Sequence, residues 1–135
     1  HTTDIIPVDL NCLLYHLELT IAEAHELNFE STEAEQMRKA ALQRKQAIQN
    51  YCWNKTLQFY TDFDFIKAER TTVKSLAASF ALYFEVATKE QAEAITTSLK
   101  NEFLKDGGLI TTLYTTGQQW DAPNGWAPLQ WMSII

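Results

Sequence analysis

Near the start of the chain, apolar residues recur at steps of three and four: Leu10, Leu14, Leu17, Ile21 and Ala24, with Leu13 and Leu27 widening the stripe. That spacing lines one face of a 3.6-residue helix and predicts a single long amphipathic helix from Val8 to Leu27. Pro7 sits where a first helical turn tolerates proline, and Asp4 just upstream is a candidate cap. A helix of this kind needs a partner to cover its stripe. Thr32-Glu33-Ala34-Glu35 announces one, because in a capping box the hydroxyl and the carboxylate satisfy each other's backbone amides. Met37, Ala40, Ala41, Ala47, Ile48 and Tyr51 then repeat at helical spacing to about Trp53. Two helices joined by a short polar break make an αα-hairpin.

Between Leu57 and Phe65 the period drops to two. Phe59, Thr61, Phe63 and Phe65 alternate with Gln58, Tyr60, Asp62 and Asp64, which predicts a short strand or extended segment. A second helix pair follows. Leu76, Ala77, Phe80, Ala81, Phe84 and Ala87 form one stripe, and Thr88-Lys89-Glu90-Gln91 is a second capping box. Ala92, Ile95, Leu99, Phe103 and Leu104 continue the pattern, and Gly107 is placed to end it as a left-handed cap. From Gly108 to Asn124 no period survives, so a long loop is expected. Trp126 to Ile135 reads as the start of a fifth helix. The fold class is all-α, built from helical hairpins. A tetratricopeptide array would repeat its key residues every ~34 positions, and they do not recur here.

Composition removes several function classes. With 135 residues, 46% apolar and 21% charged, the chain is about one domain long and ordinarily globular, not disordered. Only Cys12 and Cys52 are present, too few for a disulfide scaffold. Eleven basic against 17 acidic residues give a net charge of −6, which argues against a nucleic-acid or anionic-membrane partner. No apolar run approaches the ~20 residues needed to cross a bilayer. His1-Thr2-Thr3-Asp4 has neither the basic nor the apolar region of a signal peptide, so no targeting segment is read here. Met132-Ser133-Ile134-Ile135 closes the chain inside an apolar run without a helix stop, which reads as a cut.

The most unusual stretch is Gly117-Gln118-Gln119-Trp120-Asp121-Ala122-Pro123-Asn124-Gly125-Trp126-Ala127-Pro128. Two indoles, amides and a carboxylate sit in a loop stiffened by two prolines. Sugar sites use this mixture: flat aromatic faces cover the C–H side of a pyranose, and planar amides and carboxylates bind its hydroxyls. The same residues would also suit a Pro/Gly turn whose tryptophans anchor a loop to the core.

Gln119 to Pro128 resembles the trehalase signature Q-W-D-x-P-x-G-W-x-P at every fixed position. The resemblance extends outward. Ile6-Pro7-Val8-Asp9-Leu10-Asn11 is similar to the family's segment after its catalytic-acid region. Tyr51-Cys52-Trp53-Asn54 followed by Tyr60-Thr61-Asp62-Phe63-Asp64 resembles its LWN…YxDYD stretch, and Gly107-Gly108-Leu109 and Leu129-Gln130-Trp131-Met132 also fit. The similarity covers essentially the whole chain.

That resemblance implies hydrolysis of α,α-trehalose to two glucoses, with inversion, on an (α/α)6 toroid of about twelve helices. Residues 1–135 would then be one segment of an incomplete catalytic domain, a partial (α/α)6 toroid. Its partners would be trehalose and the remainder of that domain, with no cofactor and no metal. Inverting glycosidases place a general acid and a general base ~6.5–9.5 Å apart. In trehalases the acid is an Asp preceding the segment that opens here and the base is a Glu well beyond the signature. No catalytic residue is therefore carried over, and these residues alone are expected to be inactive. The substrate-binding candidates are Gln119, Trp120, Asp121, Asn124 and Trp126. Trp120 is the expected sugar platform, and Gln119 and Asp121 would bind hydroxyls or hold the loop. Two alternatives stand beside this reading: a non-catalytic helical carbohydrate-binding module, or another (α/α)6 glucosidase.

Other polar residues fit structural roles. Asp62 and Asp64 are expected to point the same way on their extended segment and to be solvated or to brace the loop, since further oxygen ligands are absent nearby. Cys12 and His16 share a helix face but lack a second ligand pair. Glu33, Glu35, Arg38, Lys39, Arg44 and Lys45 are expected to form a solvated outer face. The compartment stays open between cytoplasm and periplasm or exterior.

Overall fold

The computed structural model describes residues 2–134; His1 and Ile135, the last residue of the expected fifth helix, lie outside the described residues. After a 3₁₀ turn at Thr2–Asp4, strand β1 (Ile5–Ile6) leads into helix α1 (Val8–Leu27), and α2 (Ser31–Tyr51) returns antiparallel against it. Strands β2 (Trp53–Asn54), β3 (Phe59–Tyr60), β4 (Phe63–Asp64) and β5 (Glu69–Arg70) follow. A 3₁₀ turn at Leu76–Ala78 runs into α3 (Ser79–Tyr83), and α4 (Lys89–Ser98) ends in a single π-helical turn, Leu99–Phe103. Strands β6 (Leu104–Lys105) and β7 (Gly108–Leu109) precede the long loop and α5 (Ala127–Ile134).

The framework is helical, but the all-α expectation holds only in part. Among the described residues, two-residue strands form three small antiparallel sheets: β1-β4-β5, β2-β3 and β6-β7. They staple the ends of helices together. Pairing of Ile6 with Phe63 brings Asp62 beneath the start of α1, where its Oδ1 accepts from the Val8 amide at 2.9 Å. The first turn of α1 is thus capped from 54 residues away, not by Asp4.

The turn between α1 and α2 also differs from the reading. Phe29 adopts a left-handed φ of 63°, and Glu30 donates its amide to the His25 carbonyl at 2.9 Å. Helix α2 therefore starts at Ser31, with Glu30 as N-cap and no side-chain cap bond. Thr32 falls inside the first turn and its capping box does not form. The box at Thr88 does form, with Gln91 as the reciprocal partner. Gln91 Oε1 also accepts from the buried Tyr60 hydroxyl at 2.8 Å, which ties α4 to β3.

The stripe at 76–87 yields only a short helix, because Glu85 turns left-handed at φ 53° and Val86 and Ala87 both donate to the Ala81 carbonyl. Nor is Gly107 a helix cap: the π turn ends at the extended Leu104. Of the two adjacent glycines it is Gly108 (φ 113°) that turns left-handed, in the β6–β7 hairpin.

The core gathers Val8, Cys12, Ile48, Cys52, Trp53, Phe59, Tyr60, Leu76, Ile95 and Phe103. Phe59 and Phe103 stack with centroids 5.8 Å apart and planes 6° from parallel. Both cysteines are free, and burial pushes each thiol up to about 12, which keeps them protonated and unreactive at neutral pH.

The leucine stripe of α1 does not face α2. Its buried residues are Val8, Cys12 and Ala22, and α2 meets it through Ala34, Ala41 and Ile48. Small residues let the two backbones approach, so Leu10, Leu13, Leu17 and Ile21 point outward at 36–50% exposure. Part of the expected solvated face of α2 turns inward instead. Arg44 forks onto Glu18 (2.7 Å) and reaches Asn11, and Lys45 donates to the Glu85 carbonyl, while Glu33, Glu35, Arg38 and Lys39 stay exposed as expected, with Arg38 pairing to Glu26 at the surface.

Candidate functional site

The loop from Ile110 to Trp126 is aperiodic in sequence because backbone bonds to distant elements shape it. The Leu76 amide donates to the Thr111 carbonyl at 2.8 Å, and Ser75 bridges to Thr112. Thr111 in turn donates its amide to the Asn124 carbonyl at 3.0 Å, and Ala122 donates to Tyr114 at 2.9 Å. The Ala122–Pro123 peptide is cis. These bonds fold the signature residues back over the 3₁₀ turn at Leu76–Ala78 and the start of α1.

Gln130 in α5 secures the other side. Its side-chain amide accepts from the Leu109 N–H at 3.1 Å and donates to the Leu109 carbonyl at 3.0 Å. Gly125 makes this possible, since a Cβ there would lie 2.6 Å from Gln130 Nε2 and 2.9 Å from the Leu109 carbonyl oxygen. Gly125→Ala should break the Gln130 clamp and lower the melting temperature, by about 1–3 kcal/mol of stability if the clamp is left half-paired. Equal melting temperatures for variant and parent would show that the loop has room the geometry denies.

A cavity of about 330 Å³ lies beside this loop. Pro7, Asp9, Asp62, Ser75, Ala77, Thr111, Trp120, Trp126 and Leu129 line it. The two indoles meet edge to face, with centroids 5.2 Å apart and planes at 71°. Trp120 is 50% exposed and Trp126 42%, so both rings offer apolar surface to a ligand without being sealed in the core.

The five residues singled out from the sequence do not share one position. Trp120 and Trp126 line the cavity, and Gln119, Asp121 and Asn124 stand outside its wall. Asp121 accepts from Thr112 Oγ1 at 3.2 Å through one carboxylate oxygen and from Thr116 Oγ1 through the other. Its backbone amide is likewise engaged, donating to the Gln118 carbonyl. Asn124 bonds through its backbone, to Asp121 and Thr111, and Gln119 is exposed.

Reasoning from sequence passed over the other lining residues. Asp9 lies in the quoted Ile6–Asn11 segment, and its place in the first turn of α1 was the signal available. Asp62 and Asp64 share one extended segment, but the two part company. Asp64 Oδ1 accepts from the Ile66 and Lys67 amides and braces its own turn; Asp62 reaches the cavity. Burial raises the Asp62 carboxyl above the usual range; the Val8 amide partly offsets this, and the nearby Asp9 charge adds to the rise. The Lys67 amide and ammonium hold Asp64 low instead. His16 stacks on Phe84 at 4.8 Å. Among the described residues no group of three or more His, Cys, Asp or Glu gathers to hold a metal, and no helix is long and apolar enough to cross a membrane.

A family model described as trehalase matches residues 1–135. The chain belongs to the trehalase family. The periplasmic trehalase of Salmonella newport (strain SL254) is 43% identical over 132 residues, which are 98% of this chain and 23% of the relative. The putative periplasmic trehalase of Escherichia coli O157:H7 is 41% identical over 98% of this chain and 24% of its own length. Among solved structures, the neutral trehalase of Saccharomyces cerevisiae superposes with a TM-score of 0.85 at 26% identity, over 96% of this chain and 27% of that one. A GH63 mannosylglycerate hydrolase from Thermus thermophilus superposes at 0.83 with 17% identity, covering 96% of this chain and 32% of that one, a likeness of fold alone. The chain thus spans about a quarter of the length of the trehalase relatives it matches.

Proposed function

We propose that these residues form one wall of the sugar site in an (α/α)6 catalytic domain that hydrolyses α,α-trehalose to two glucoses with inversion. The observation that carries the reading is the pair of half-exposed indoles, Trp120 and Trp126, on a cavity that also presents carboxylates and hydroxyls. An aromatic platform beside hydroxyl-binding groups is the chemistry a pyranose requires. Asp121 then holds the loop by way of Thr112 and Thr116, and Gln119 is the signature amide free to reach a hydroxyl. The acid and base belong to segments outside these residues, by the family resemblance. The outward leucine face of α1 supports the same reading, because Leu10, Leu13 and Leu17 offer a surface that a neighbouring hairpin of the toroid would cover.

Glucose release from trehalose by the intact protein tests the proposal, with the anomer of the released sugar followed by NMR to detect inversion. Turnover of trehalose well above that of other glucosides is the expected result; preference for another glucoside would favour a related glucosidase, and binding without turnover a carbohydrate-binding module. Residues 1–135 by themselves should release no glucose and should bind an apolar dye and self-associate through the α1 face. Clear turnover by the isolated chain, or a compact monomer that binds no dye, would contradict the assignment of an incomplete domain.

A further inference from the structure

The cavity needs a hydroxyl acceptor, and the signature does not supply its carboxylate. Both oxygens of Asp121 are engaged by loop threonines, and the residue lies outside the cavity wall. The carboxylates that do line the cavity are Asp9 and Asp62, which come from elements remote from the loop. Asp62 spends Oδ1 on the Val8 amide, one residue before Asp9. Asp9 is half-buried; its Oδ1 accepts from the Leu10 amide at 2.7 Å, and its Oδ2 has no hydrogen-bond partner among the described residues. The fold therefore fixes the backbone on both sides of Asp9 and sets the residue on the wall of the same cavity as the two indoles.

We propose that Asp9 is a sugar-hydroxyl ligand of the Trp120–Trp126 cavity, and that Asp62 is the positioning residue that holds the first turn of α1 so that Asp9 meets the sugar. This assignment deepens the trehalose reading and rests on it. An ionised carboxylate accepts from hydroxyls more strongly than a neutral amide does, and one carboxylate can take two adjacent ring hydroxyls. Pro7, also on the cavity wall, stiffens the chain just before the turn. Asp9 is not needed to cap α1, because Asp62 does that.

The test is steady-state kinetics on trehalose with the intact enzyme, together with trehalose and glucose binding followed by indole fluorescence and thermal melting of each variant. Asp9→Asn keeps the Oδ1 bond to Leu10 and is expected to lower kcat/KM by roughly 10- to 100-fold, the usual worth of a hydrogen bond to a charged group, with an unchanged melting temperature. Asp62→Ala is expected to raise KM, and Asp62→Asn, whose carbonyl can still accept from Val8, to restore it. Kinetics unchanged in Asp9→Asn and Asp9→Ala would overturn the Asp9 assignment while trehalose hydrolysis by the parent stands. Failure of Asp62→Asn to restore KM would overturn the positioning role and make the Asp62 charge itself a ligand. A parent enzyme that binds trehalose without hydrolysing it would sink the functional reading alone, and the variants' Kd would then decide on Asp9. A parent that does neither overturns both.

Discussion

Replacing Trp120 by alanine in the intact enzyme should lower kcat/KM on trehalose at least ~10-fold, about 1.4 kcal/mol of transition-state stabilisation, and leave the melting temperature nearly unchanged. The ring is 50% exposed and borders the cavity, so its removal takes a face from the site and little from the core. The loop does not depend on the indole for its shape. Ala122 is held by Tyr114, Thr111 by Asn124, and Leu109 by Gln130, all through bonds the substitution leaves in place. Trp126 is the residue that would feel the loss, since its ring meets Trp120 edge to face. Measuring kinetics and melting on the same preparation separates the two roles. A variant that melts many degrees lower yet keeps its specific activity would make Trp120 a structural tryptophan.

Phe103→Ala should behave in the opposite way, costing ~3–5 kcal/mol of folding stability, the usual range for truncating a buried phenylalanine. Phe103 is fully buried in the π turn after α4 and stacks flat on Phe59, which is itself fully buried. Lys74 lies 5.4 Å over the Phe59 ring and is held there by Ser98 and Glu102, so the surrounding side chains have little freedom to collapse into the void. Denaturant unfolding of the intact protein reads the loss directly. A loss below about 1 kcal/mol would show that the core closes around the missing ring.

Much of the framework was legible in the residues. The 3.6-residue spacing places α1 over the stretch read from Val8 to Leu27, and the capping box at Thr88 opens α4 as expected. The alternation at 57–65 marks the extended segment that holds β3 and β4. These signals are local: each depends on backbone geometry that a few neighbouring residues decide. The trehalase signature was equally legible, because its tryptophans, prolines and glycines sit at fixed separations within ten residues.

What the sequence alone could not determine is which partner each face and each carboxylate meets. The leucine stripe of α1 establishes a helix with an apolar face, but alanines on α2 decide that the opposite face is buried, because close backbone approach wins over side-chain size there. Asp62 and Asp64 are two residues apart and chemically alike, yet pairing of β1 with β4 carries one to the start of α1 and leaves the other bracing a turn. Asp9 gains a place beside Trp120 and Trp126 only when the long loop folds back over residues more than a hundred positions earlier. Periodicity and motif spacing act along the chain, and so they determine the helices and the family. The composition of the cavity depends on hydrogen bonds and packing between segments distant in sequence, and only the tertiary structure decides it.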